Sequence, residues 1–77
     1  MEVRDSVAML RKALARLDPP HRQVLLMRYE DGLSYGEIAA ASGLAIGTVM
    51  SRLFNAKRKL RAIWEQLEEE QREESRR

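Results

Sequence analysis

The sequence predicts an all-α domain of four helices, the last of them long. Three observations predict it. Apolar residues recur at spacings of three and four along most of the 77 residues, which is the period of a helix with one covered face. Pro19-Pro20, Asp31-Gly32 and Gly43 punctuate that pattern at the places where helices stop and restart. From Thr48 to the C-terminus no proline or glycine interrupts the chain, so a single long helix is free to form there.

Each helix has its own local reason. Val3, Val7, Leu10, Leu14 and Leu17 line one face of a first helix that reaches about Leu17 and leaves Arg4, Arg11, Lys12 and Arg16 mostly outside. Asp18-Pro19-Pro20 ends it, because proline disfavours helical geometry in the residue before it, while Pro20 suits the first turn of a second helix running to about Glu30. The run Val24-Leu25-Leu26-Met27 makes that helix apolar around most of its circumference, which places it centrally. Ser34-Tyr35-Gly36-Glu37 fits a capping box at the start of a short third helix, Tyr35 to Ser42, closed by Gly43. Ile46, Val49, Leu53, Ala56, Leu60, Ile63, Trp64 and Leu67 then form the stripe of the fourth helix, with Trp64 expected to cover helix one. Residues 1–68 read as the domain and 69–77 as an acidic helical or frayed tail, with Glu68–Arg72 and Glu73–Arg77 as four-residue ion pairs.

Composition narrows the function. A chain of this size buries only about 60% of its unfolded surface, which argues against a deep substrate cavity. With no cysteine and a single histidine, His21, there is no disulfide framework and no zinc site, and neither metal nor cofactor is expected. Ser51, His21 and an acid do not make a hydrolytic triad, since nothing supplies an oxyanion hole or a strained elbow, so the chain is not read as an enzyme. His21, in the first turn of helix two, is expected at the surface. No apolar stretch approaches the roughly 20 residues that cross a bilayer, and a cytoplasmic, nucleoid-associated location is expected. Residues 1–64 carry 11 Lys and Arg against 6 acids, net +5, whereas 65–77 carry 3 Arg against 6 Glu, net −3. Ala45 to Trp64 holds Arg52, Lys57, Arg58, Lys59 and Arg61 and no acid, the usual footprint of phosphate binding, although a charged helix face is as often merely solvated.

Helices three and four, joined through Gly43, have the form of a helix-turn-helix whose second helix enters a DNA major groove; Ala39 lets the pair approach and Val49 locks the second helix to the core. With Val49, Leu53, Ala56 and Leu60 inward, the opposite face of helix four shows Gly47, Ser51, Phe54, Asn55 and Arg58. In a groove, Gly47 permits close backbone approach, Phe54 packs on a thymine methyl, Asn55 pairs with an adenine edge and Ser51 serves several bases. Arg52, on the flank, either contacts phosphate or pairs with an acid on a neighbouring helix.

Leu17 to Arg61, LDPPHRQVLLMRYEDGLSYGEIAAASGLAIGTVMSRLFNAKRKLR, resembles region four of bacterial extracytoplasmic-function (ECF) sigma factors. The most specific pieces are DGLSYGEIA at Asp31 to Ala39 and GTVMSRLFNAKRKL at Gly47 to Leu60. The resemblance implies a domain that recognises the −35 promoter element in double-stranded DNA and supports transcription initiation by RNA polymerase. On matching positions it implies base reading by Ser51, Phe54 and Asn55, joined by Met50, and backbone contacts from Arg28, Ser34, Tyr35, Gly47, Thr48, Arg52 and Arg58. Helix N-termini with open amides favour phosphate, in agreement with the Ser34 and Thr48 assignments. Met50 stands where the family often has Lys or Arg, and Asn55 where Arg is frequent, so the preferred bases are not carried over. The resemblance further implies the polymerase beta flap as a partner, in an apolar groove of helices one, two and the later part of four, and an anti-sigma factor as a regulator. Two rivals stand beside it: a response-regulator-type helix-turn-helix, against which Gly47-Thr48-Val49-Met50-Ser51-Arg52-Leu53 argues, and a helix-turn-helix module used for protein–protein regulation.

Overall fold

The computed structural model describes residues 3–76, and side chains from Ser6 onward. Four helices follow one another: α1 (Val3–Arg16), α2 (Pro19–Tyr29), α3 (Tyr35–Ser42) and α4 (Ile46–Ser75). The predicted boundaries hold to within about a residue. Leu17 leaves α1 because its amide donates to Leu14 O in a tightened last turn, and Pro19, not Pro20, is the first residue of α2. Expectations for the side chains of Val3 and Arg4, and for the Glu73–Arg77 pair, lie outside the described residues.

Two apolar clusters hold the helices. Leu17, Val24, Leu25, Ile38, Val49, Leu53 and Ala56 form the larger, where α2 and α3 pack on the first half of α4. Met9, Ala13 and Leu67 form the smaller, with Leu60, Ile63 and Trp64 packed against it, so Trp64 covers α1 as expected. The phase of α1 differs from expectation. Met9 and Ala13 are buried, while Val7 and Leu10 are 44% and 41% exposed. The reason is the neighbour: α1 lies along the far half of α4, and the seam that meets Leu67 is the i, i+4 row Met9–Ala13, which rotates Val7 and Leu10 to its edge. The α4 stripe likewise begins at Val49, because Ile46 is the first residue of the helix and stands 53% exposed. Among the described residues no single helix is long and apolar enough to cross a membrane.

The 30-residue α4 runs the length of the molecule, whose extents are 49 × 20 × 15 Å. Beyond Leu67, among the described residues, the side-chain hydrogen bonds to α1 come from Arg16, whose guanidinium donates to both carboxylate oxygens of Glu70 at 3.1 and 3.0 Å. That pairing holds the Glu70 carboxyl below its usual range. Arg72 lies 3.7 Å from Glu69 and not against the expected Glu68. Because Arg16 and Glu70 are both exposed, solvent screens the pair. Deleting residues 69–77 is therefore expected to move the thermal midpoint by no more than about 4 °C. Removal of the acidic segment should also tighten non-specific DNA binding slightly, since surface charge is screened within about 10 Å. A loss of more than about 10 °C in a melting curve would show that the tail carries structure.

Candidate nucleic-acid interface

The turn between α3 and α4 is built from the residues the sequence marked. Ser34 Oγ accepts from the Glu37 amide at 3.1 Å while Glu37 Oε1 accepts from the Ser34 amide at 2.9 Å, closing the capping box at the α3 N-terminus. Those bonds hold the Glu37 carboxyl below its usual range, the backbone amide of Ser34 contributing most. At the other end Gly43 takes φ 69°, a left-handed conformation that suits glycine, and the Leu44 amide reaches Ala39 O at 3.0 Å. The chain direction turns through 105° between α3 and α4, the crossing of a helix-turn-helix. Buried Ile38 and Val49 lock the two together.

The residues marked for base reading occupy the first three turns of α4. Met50 is 52% exposed, Phe54 67% exposed, and Ser51 lies open between them. Asn55 sits nearer the body than the helical wheel places it: it is half-buried, and its Oδ1 accepts from Arg58 Nη2 at 3.1 Å. Gly47 and Thr48 are exposed in the first turn, and Ala45 at the N-cap provides no side-chain acceptor; the Thr48 amide donates to Ala45 O at 3.0 Å, while the Ile46 and Gly47 amides stay open to an anion.

The backbone set falls into two groups. Arg28, Ser34 and Tyr35 cluster where α2 meets α3: Arg28 Nη1 donates to Leu33 O at 2.9 Å, and its guanidinium lies 4.8 Å from the centre of the half-buried Tyr35 ring. Arg28 thus clamps the α2–α3 loop as well as presenting charge. Gly47, Thr48, Arg52 and Arg58 belong to α4, where Arg52 is half-buried and has no carboxylate partner among the described residues, and Arg58 is exposed.

Lys57 and Arg61, which the sequence placed in the basic stretch without a contact of their own, lie beside the candidate base readers. With Phe54 and Arg58 they line a shallow depression of about 330 Å³, and Lys57 Nζ also stands 5.2 Å over the Tyr29 ring. Their spacing of one and two turns from Phe54, three and seven residues on, is the signal that could have found them. Lys59 is drawn elsewhere, 3.4 Å from both Asp18 Oδ1 and His21 Nδ1. His21, expected at the surface, is half-buried because its ring folds back 2.6 Å from Asp18 Oδ2 against α4. That hydrogen bond keeps the Asp18 carboxyl below its usual range.

Adjoining that depression across Lys57, Leu10 and Leu14 of α1, Leu25, Leu26 and Tyr29 of α2, and Leu60 of α4 line an apolar groove of about 370 Å³ with Glu30 and Lys57 on its rim. Helices one, two and the later part of four were expected to form such a groove.

The family described as Sigma-70, region 4 matches residues 8–60. The chain is 46% identical over 55 residues to the ECF RNA polymerase sigma factor SigL of Mycobacterium tuberculosis, covering 71% of this chain and 31% of that protein. It is 40% identical over 53 residues to the ECF RNA polymerase sigma factor EcfG of Rhodopseudomonas palustris, covering 69% of this chain and 29% of that protein. The chain therefore spans about a third of the length of the curated relatives it matches.

Proposed function

Because the chain belongs to the sigma-70 region 4 family, we propose that it recognises promoter DNA at the −35 element and serves as region four of an ECF sigma factor in transcription initiation. One observation carries the reading most: the first three turns of α4 project Met50, Ser51 and Phe54 outward, with Lys57, Arg58 and Arg61 beside them. No acid lies between Ile38 and Trp64. In this reading α4 enters the major groove. Met50, Ser51, Phe54 and Asn55 face base edges. Thr48 and the amide of Gly47 meet one phosphate, the α2–α3 cluster of Arg28, Ser34 and Tyr35 another, and Arg52 and Arg58 flank the groove. Residues 1–68 act as the binding domain and 69–77 as a solvated extension.

No reaction is catalysed; recruitment is the output. The apolar groove of α1, α2 and α4 suits the polymerase beta flap, and the same surface is available to an anti-sigma factor. Such work places the protein in the cytoplasm with the nucleoid. Selection of tight binders from a random duplex library tests the reading. A shared motif should emerge within one major-groove face, and a library enriched without any common motif would overturn sequence-specific recognition.

A further inference from the structure

We infer that Ile46, Met50 and Phe54 form an apolar ridge that reads the C5-methyl groups of adjacent thymines, so that the preferred duplex carries a short thymine run on one strand. This rests on the reading of α4 as the groove helix and names what that helix selects. The sequence pattern assigned Ile46 to the core, yet it is 53% exposed, in line with Met50 at 52% and Phe54 at 67%. Residues at i, i+4 and i+8 share one inclined row on a helix. Nine residues of α4 extend about 12 Å, and bases on one strand rise about 3.4 Å each. The ridge therefore spans about three bases.

Chemistry favours thymine over the alternatives. Three large apolar side chains held in water are unfavourable, and the thymine methyl is the apolar group that a major-groove base edge offers. Guanine is most often read by Arg or Lys to O6 and N7, but between Ile46 and Asn55 the only cation is Arg52, half-buried on the flank. Asn55 fits the same target. With Oδ1 accepting from Arg58, its remaining amide group is a donor, which suits thymine O4 or the N7 of the paired adenine. Lys57, Arg58 and Arg61 gather around Phe54 and no acid occurs from Ile38 to Trp64, so the ridge lies within a field that attracts phosphate and not an acid-free protein surface.

The experiment uses the 77-residue chain and its selected duplex, with each thymine replaced in turn by deoxyuridine, which removes only the methyl. Two or three adjacent replacements should each weaken binding about fourfold, the ordinary worth of one buried methyl-sized group. Met50→Ala and Phe54→Ala, both at exposed positions, should stay folded by circular dichroism and each lose the sensitivity at one of those thymines, whereas Lys57→Ala should keep it. If the selected duplex is bound specifically and every deoxyuridine is neutral, the ridge inference falls while groove recognition stands. If selection yields no motif at all, groove recognition falls and the ridge with it, and a protein would be the ligand left for that face.

Discussion

Leu53→Ala is expected to lower stability by about 2–5 kcal/mol, because the side chain fills the centre of the larger cluster and its loss leaves a cavity that rigid helices do not close. Leu53 is 3% exposed and shares its cluster with Leu17, Val24, Leu25, Ile38, Val49 and Ala56. For a domain of this length that corresponds to a thermal midpoint lower by roughly 10–30 °C. All duplexes should then be bound less well in proportion to the unfolded fraction. Phe54→Ala, at the next residue, is the matched comparison: its ring is 67% exposed, so the melting curve should barely move. Melting by circular dichroism checks both, and a Leu53→Ala protein that melts with the parent would contradict the packing described.

Affinity for DNA should fall steeply with salt. If Arg28, Arg52, Arg58 and the open amides at the starts of α3 and α4 together neutralise about four phosphates, log affinity falls against log salt with a slope of about −3.6. Between about 50 and 200 mM salt that is a loss of roughly a hundredfold. Lys59 contributes less than its charge suggests, since Asp18 already faces it. Titration of one duplex across that range measures the slope, and a flat response would contradict phosphate-dominated binding.

How far the fold was legible follows from how local its causes are. The capping box needs only Ser34 and Glu37, the turn only Gly43, and the α4 stripe only residues within a few turns of Leu53, so all three read directly from sequence. The phase of α1 did not, because both Val7–Leu10–Leu14 and Met9–Ala13–Leu17 are apolar rows, and which one is covered depends on α4 some fifty residues away. His21 went astray for the same reason: its Asp18 partner is three residues off, but the Lys59 that completes the cluster is 38 residues away. At the candidate site the outward face of α4 was legible from the wheel, including Phe54. Ile46 was not, because an apolar residue at the first position of a helix continues the stripe on paper while its side chain stands 53% exposed in space. The engagement of Asn55 by Arg58 was also missed, since an i, i+3 pair on an outward face competes with the solvent there.

Whether α4 reads bases is decided by comparing affinities for a selected duplex and a scrambled one across parent, Asn55→Ala, Phe54→Ala and Arg61→Ala, each confirmed folded by circular dichroism. Contacts to base edges carry sequence information and contacts to phosphate do not. Asn55→Ala, which removes a single donor to the base, should therefore cost roughly 0.5–1.5 kcal/mol on the selected duplex, with little change on the scrambled one. Phe54→Ala should narrow the same gap, and Arg61→Ala should weaken both duplexes about equally. Folded Asn55→Ala and Phe54→Ala proteins that discriminate between the two duplexes as the parent does would contradict the assignment of α4 as the reading helix.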